Sequence, residues 1–409
     1  MVRFIRRDQK QQRLGDRFVA ELAHTPKFSL NHTYKYNKPG CKLHDTIKFM
    51  NIFVDARWTR TDYHDGISRY TAGVVSGFKD SNIPITIIIH DERQLKLLPT
   101  DLPYIVVNNP VSIKEFFLAR KLNKLGADVV FSPLQIMGSN GRKYKLILTL
   151  QDIIYYRHPK PPTGLPAIIR VIWRLFHAAH WPQRWILNHA DHVTTVSKTS
   201  RKFIQEMRLT DREIGVIYNA SSLDLPQSNE GIVKTKNIIY MGSFMPYKNV
   251  EVLIKGLEFL PKDYELHLLS RISPERKIEL EKLIPLDARV VFHNGTSDQE
   301  YISLLQGALC LATGSTEEGF GLPIVEAQAM GTPVIINDME IFHEVAADGA
   351  LFFEANSPQQ FAQQVLKLDD PVLLQDLIAK GKRQSDNFAW TKSAQVLYGI
   401  CEKLCENSK

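Results

Sequence analysis

The sequence predicts an α/β protein of two doubly wound, parallel-sheet domains. Its 409 residues exceed what one ordinary core accommodates, so two domains of similar size are expected. Short apolar runs without polar alternation, such as Pro84–His90, Lys145–Leu150 and Ala308–Ala312, suit strands covered on both faces. These runs alternate with helical stretches, as in a parallel sheet wound with helices. The expected division is a basic extension over 1–49, a first domain over 50–228, a second over 229–390 and a closing helix over 391–409.

Charge is unevenly placed. The formal net charge is +7, and residues 1–49 carry eleven Lys/Arg against four Asp/Glu, so the whole excess resides in the extension. Two readings of that extension stay open, a basic arm for an anionic partner and an incidental segment ahead of Met50. The balanced remainder gives no reason to expect a nucleic-acid partner. Cys41, Cys310, Cys401 and Cys405 make no disulfide framework for a chain of this size, and a reducing cytosol fits them. No apolar run reaches the length of a spanning helix. The expected location is cytoplasmic, with peripheral contact at the inner face of the cytoplasmic membrane as the alternative.

Taken in order, Lys48–Asp55 reads as the first strand, followed by a polar loop and a helix opening at Gly66. Pro84–His90, Asp128–Phe131 and Lys145–Leu150 follow as buried strands, with a helix over Ser112–Leu125 between the first two. Gln151 and Asp152 stand at a carboxyl strand end, where open α/β sheets bind ligands; Asp152 reads equally as a helix cap. Residues 153–190 hold no acidic side chain but five Lys/Arg and Trp173, Trp181 and Trp185. A helix there suits the interfacial layer of an anionic membrane, or it covers the sheet with its arginines solvated. The histidines of that stretch, His158, His177, His180 and His189, lack carboxylate or cysteine companions, so no metal site is expected. Asp191–Val196 is the next strand, Ser197 caps a helix over Lys198–Met207, Ile214–Tyr218 closes the domain and polar Ser221–Thr235 is the linker.

The second domain opens with strand Asn237–Met241, the turn Gly242-Ser243 and Lys248 entering a helix, a sound arrangement for a diphosphate. Tyr264–Leu269, Arg289–Phe292 and Pro333–Ile336 are further strands. Ser297 to Glu300 forms a capping box for a helix through Gln306, His343-Glu344 sits on a short helix, and helices follow over Pro358–Leu368, Val372–Asn387 and from Thr391. Between them Ala308–Ala312 leads into Ser315–Gly331, STEEGFGLPIVEAQAMG. Gly319 and Gly321 let a ligand approach the backbone, Pro323 suits a helix start, and Glu318 and first-turn Glu326 add acceptors for sugar hydroxyls. That combination points to a nucleotide sugar.

The string Glu318-Gly319-Phe320-Gly321-Leu322-Pro323-Ile324-Val325-Glu326 and its continuation through Ile335 resemble the Glu-x7-Glu signature of retaining family 4 glycosyltransferases, which have the two-domain GT-B fold. The resemblance implies two facing Rossmann-like domains with the site between them. It further implies that Glu318, Gly319 and the amides of Phe320, Gly321 and Leu322 hold the donor sugar, that Glu326 holds the ribose, and that Gly242, Ser243 and Lys248 hold the diphosphate. Gly66 would face the cleft near the diphosphate, with Gln151 and Asp152 on the acceptor side. Two positions depart from the family pattern. Gln151 stands where the family commonly has histidine, and Ser243 where it often has a second phosphate cation.

The implied reaction is retaining transfer of a hexose, mannose or glucose by family habit, from a nucleoside diphosphate sugar to a saccharide or lipid-linked saccharide acceptor in bacterial surface polysaccharide synthesis. Glu318 and Lys248 are the expected catalytic pair. In this family the leaving diphosphate itself is held to take the acceptor proton. No cofactor is expected, and the lack of any Asp-x-Asp pair argues against a divalent metal. Two rivals stay open, a nucleotide-sugar epimerase on the same fold and a catalytically inactive sugar-nucleotide-binding relative.

Overall fold

Apolar runs that bury both faces assemble into two all-parallel sheets in the computed structural model, which describes residues 50–157, 167–223 and 234–406. The extension 1–49 and most of the expected linker lie outside the described residues. Both sheets belong to one compact unit, Met50–Lys409.

The first sheet contains β1 (Ile52–Asp55), β2 (Ile85–Ile89), β3 (Tyr104–Val106), β4 (Val129–Ser132), β5 (Lys145–Thr149), β6 (His192–Thr195) and β7 (Ile214–Val216). Its order is β3-β2-β1-β4-β5-β6-β7. The second contains β8 (Asn237–Tyr240), β9 (Glu265–Leu268), β10 (Arg289–Phe292), β11 (Cys310–Thr313), β12 (Val334–Asn337) and β13 (Ala350–Phe353), ordered β10-β9-β8-β11-β12-β13. Winding reverses between β1 and β4 in one lobe and between β8 and β11 in the other. Ligand crevices of doubly wound sheets open at such reversals, beyond the carboxyl ends of the strands. The turns after β8 and β11 therefore share one crevice.

The expected doubly wound architecture is present, and several details differ from the sequence reading. The short strands β3 and β13 were not anticipated, and β3 leaves Tyr104 and Val106 exposed, so it lacks the buried-run signal. The helix expected over Ser112–Leu125 is a 3-10 segment, Ile113–Phe117, continuing into an α-helix, Leu118–Lys124.

The helix Trp390–Glu406 packs on the helix Gly66–Asp80 of the first lobe. Gly73 and Gly77, one turn apart, form the notch that receives Trp390: a Cβ at Gly73 would stand 2.0 Å from the indole, and one at Gly77 2.1 Å from the Trp390 carbonyl. The indole Nε1 donates to Ser222 Oγ at 2.9 Å. Tyr218, Phe320 and Phe388 pack edge to face beside it, joining both lobes in one apolar cluster.

Candidate functional site

The crevice of the second lobe is built by two strand ends. After β8, Gly242 and Ser243 turn the chain, a 3-10 turn over Pro246–Lys248 follows, and Asn249 at φ 47° starts the helix Val250–Gly256. Lys248 thus closes the turn before the helix rather than entering it. The Gly242 N–H donates to Ser270 Oγ at 3.1 Å, and the Ser243 carbonyl accepts from the Tyr240 hydroxyl at 2.6 Å. One amide of the expected diphosphate cradle is therefore already engaged, while the Ser243 side chain is exposed.

Beyond β11 comes the turn that the sequence singled out. Gly321 adopts φ 94°, in the left-handed region that favours glycine, and the helix Leu322–Ala329 begins at once with Pro323 in its first turn. Because β8 and β11 are neighbours, Lys248 Nζ reaches Glu318 Oε1 at 2.5 Å, each side chain only 16% exposed. Burial opposes the lysine's charge, but the adjacent Glu318 carboxylate outweighs it and holds the ammonium above its ordinary range. The pair joins an acceptor fit for sugar hydroxyls to a cation fit for phosphate.

Glu326 departs from the expectation of a first-turn carboxylate. It lies on the second turn of its helix, buried, and burial pushes its carboxyl up to about 7, opposed by Arg69 of the first lobe. Arg69 itself bonds Asp298 across the crevice at 2.6 Å. The Tyr301 hydroxyl faces Glu326 without completing a hydrogen bond of good geometry.

The first lobe closes on this turn. A Cβ at Gly319 would stand 2.9 Å from Asp152 Cβ and 3.2 Å from the Gln151 carbonyl, so Gly319 is needed for close approach. Its carbonyl accepts from Ser197 Oγ at 2.9 Å and Ser200 Oγ at 3.2 Å. Asp152 Oδ1 accepts from the Ile154 N–H at 2.9 Å, as the cap reading expects, and the residue abuts Gly319. Burial raises its carboxyl above the ordinary value. Gln151 donates through Nε2 to the Pro133 carbonyl at 3.0 Å, which fixes its amide. Gly66 is the first residue of the helix Gly66–Asp80, capped by Asp65 Oδ1 accepting the Ser68 N–H. A Cβ there would meet nothing within 4 Å.

Sequence reasoning missed the contacts that hold the lobes together. Glu344 accepts from the Lys198 and Thr199 N–H groups at 2.7 and 2.8 Å, from Thr199 Oγ1 at 2.6 Å and from the Tyr218 hydroxyl at 2.9 Å. The second lobe thereby supplies the anion at the positive end of the helix Lys198–Glu206. Arg157 meets Glu317 at 3.2 Å, and Lys202 meets Glu340 at 2.8 Å. Each partner is separated by more than a hundred residues from its mate, with no local pattern to announce it. Among the described residues no group of His, Cys, Asp and Glu is arranged to hold a metal ion, and no helix is long and apolar enough to cross a membrane.

Comparisons with known proteins bear on both lobes. The family model described as glycosyl transferases group 1 matches residues 224–384, and that for Glycosyltransferase Family 4 matches residues 64–225. The O-antigen chain mannosyltransferase RfbU of Salmonella typhimurium is 31% identical over 183 residues, 44% of this chain and 51% of the relative. An MMP alpha-(1->4)-mannosyltransferase of Mycolicibacterium hassiacum is 29% identical, covering 54% of this chain and 56% of the relative. The chain thus spans about half the length of these curated relatives. Among solved structures, sucrose-phosphate synthase from Thermosynechococcus elongatus superposes with a TM-score of 0.66 at 17% identity, covering 87% of this chain and 99% of the other. Anabaena HepE in complex with UDP and glucose superposes with a TM-score of 0.64 at 18% identity, with the same coverage. At such identities these superpositions speak for the GT-B fold alone.

Proposed function

We propose, because this chain belongs to the group 1 glycosyltransferases, that it moves a hexose from a nucleoside diphosphate sugar to a hydroxyl of a saccharide or lipid-linked saccharide, with retention of configuration. The observation that carries this reading is the Lys248–Glu318 pair at the carboxyl ends of β8 and β11. A donor entering there would take the ammonium with its diphosphate and the carboxylate with its sugar hydroxyls, replacing one ion pair with two sets of charge-assisted bonds. Glu326, with Arg69 beside it, would accept from the ribose, and the exposed face at Gly66 leaves room for the diphosphate. Gln151 and Asp152 would form the acceptor wall.

In the step itself the bond from C1 of the sugar to the diphosphate oxygen breaks and the bond from C1 to the acceptor oxygen forms on the same face. The acceptor proton passes to the departing phosphate oxygen. The chain's part is to position both partners and to stabilise phosphate charge through Lys248. A mannosyl donor is favoured because several relatives are named mannosyltransferases of O-antigen or related glycans, and bacterial surface polysaccharide is the corresponding product. Residues 153–190 remain a candidate membrane contact, with Val171, Leu175, Trp181 and Trp185 exposed beside exposed Arg170 and Arg174.

The test is a donor-hydrolysis screen over GDP-mannose, UDP-glucose, UDP-galactose and UDP-N-acetylglucosamine, with the anomeric configuration of the released sugar followed by NMR before it mutarotates. One donor cleaved with retention is expected. Epimerised nucleotide sugar with no release of nucleoside diphosphate would favour the epimerase reading, and tight binding without turnover the inactive relative.

A further inference from the structure

At the carboxyl edge of the first sheet a buried ion cluster holds apolar side chains out in solvent. Arg57, fully buried at the end of β1, donates to both oxygens of Asp55 at 2.8 and 2.9 Å and to both oxygens of Glu115 at 2.6 and 2.9 Å. Glu115 also accepts from Asn108 Nδ2 at 2.6 Å and from the Gly138 N–H at 2.8 Å. Every acceptor position of this carboxylate is used, so the segment that carries it has one orientation.

That orientation buries Leu118, Ala119 and Leu122 and turns the opposite side outward. Ile113 is 80% exposed, Phe116 67% and Phe117 58%, and Arg120 and Lys124 continue the same outward stripe at helical spacing. The Arg120 guanidinium lies 5.7 Å from the Phe117 ring centroid. From Leu102 to Ala127 the one acidic residue is Glu115, which Arg57 consumes, whereas Lys114, Arg120, Lys121 and Lys124 are exposed. Three large apolar side chains held in water by a rigid anchor mark an interaction surface, and the basic continuation of the stripe states its chemistry. A second copy meeting this face about a two-fold axis would set like charges against each other, so the complementary occupant is an anionic, partly apolar one.

We propose that the segment Ile113–Lys124 is a docking surface for an anionic lipid bilayer. Ile113, Phe116 and Phe117 enter the boundary between headgroups and acyl chains, while Arg120 and Lys124 meet lipid phosphates. Ile113–Phe117, the start of the surface, lies at the edge of the first sheet from which ligand crevices open, so it would bring the first lobe to lipid-linked acceptors; in that use alone it rests on the proposed function.

The full chain is sedimented with vesicles of phosphatidylcholine alone and of phosphatidylcholine with about one-third phosphatidylglycerol. The wild type is expected to partition onto the anionic vesicles, Phe116→Ser/Phe117→Ser to lose about tenfold or more of that partitioning, and Arg120→Glu/Lys124→Glu to lose it comparably. Nucleoside diphosphate affinity, unchanged in all of them, shows that the variants are folded, and its absence from the wild type would count against the proposed function and not against this surface. The inference is overturned if the wild type stays in solution with both vesicle types. It is overturned equally if the Phe116/Phe117 variant partitions like the wild type while Trp181→Ser/Trp185→Ser does not, or if the Phe116/Phe117 variant abolishes a concentration-dependent dimer instead.

Discussion

Lys248 and Glu318 neutralise each other where a donor would divide them, and this sets the expected cost of removing either. Lys248→Ala should lower kcat/KM about 10²-fold or more, because a cation aimed at the leaving phosphate is stronger in the transition state than in the ground state; steady-state kinetics on the donor found by screening would show it. Glu326 adds a pH dependence. In the proposed complex its carboxyl, pushed up to about 7, would accept ribose hydroxyls best when ionised, so donor affinity should fall as pH drops from 8 to 6, and calorimetry with the nucleoside diphosphate would read this. Stability runs the other way. The folded chain binds this proton more tightly than the unfolded one, so the ionised form costs stability as pH rises through the window from the ordinary carboxylate value to about 7. Glu326→Gln should flatten both trends. The residue types were legible in the sequence. The resemblance brought Lys248 and Glu318 to one site, but their direct ion pair was not legible, because they are 70 residues apart and meet only through the adjacency of β8 and β11.

Elements were read well where a buried run or a cap declared them. Ser197 and the Ser297 capping box stand where local chemistry placed them, and the parallel strands follow from apolar runs covered on both faces. What escaped was tertiary. Ser197 also donates to Gly319, and the helix it caps takes Glu344 from the other lobe, which no local pattern records. Gly319 read as a turn glycine, yet its φ lies outside the left-handed set and its need is space beside Asp152. Gly319→Ala should therefore separate the two lobes by a few tenths of an ångström and lower kcat/KM roughly tenfold, with the thermal midpoint little changed. Glu344→Ala removes four hydrogen bonds from the lobe contact and should cost about 2 kcal/mol in denaturant unfolding.

Over the whole molecule, the two sheets act together because the helix Trp390–Glu406 returns to the first lobe and locks Trp390 over Gly73 and Gly77. Gly77→Ala should destabilise the protein by about 1–3 kcal/mol. Gly399→Ala, in the helix Trp390–Glu406 with nothing within 4 Å of the added carbon, should stabilise it by roughly 0.5–1 kcal/mol. Paired melting curves separate steric conflict at the notch from helix propensity. The two-lobed architecture was legible from length and alternation, whereas the closure that brings Arg69, Asp152 and Ser197 to the second lobe depends on contacts between distant segments.

In the proposed reaction a nucleotide sugar would be cleaved in the crevice between β8 and β11, with Lys248 and Glu318 against the donor. Release of nucleoside diphosphate from GDP-mannose and the three UDP-sugars, measured for the wild type, Lys248→Ala and Glu318→Gln side by side, decides this. Release from one donor by the wild type, reduced about 10²-fold or more in both variants, is the predicted result. Undiminished release by either variant, or no release from any donor in the presence of mixed saccharide acceptors, would contradict it.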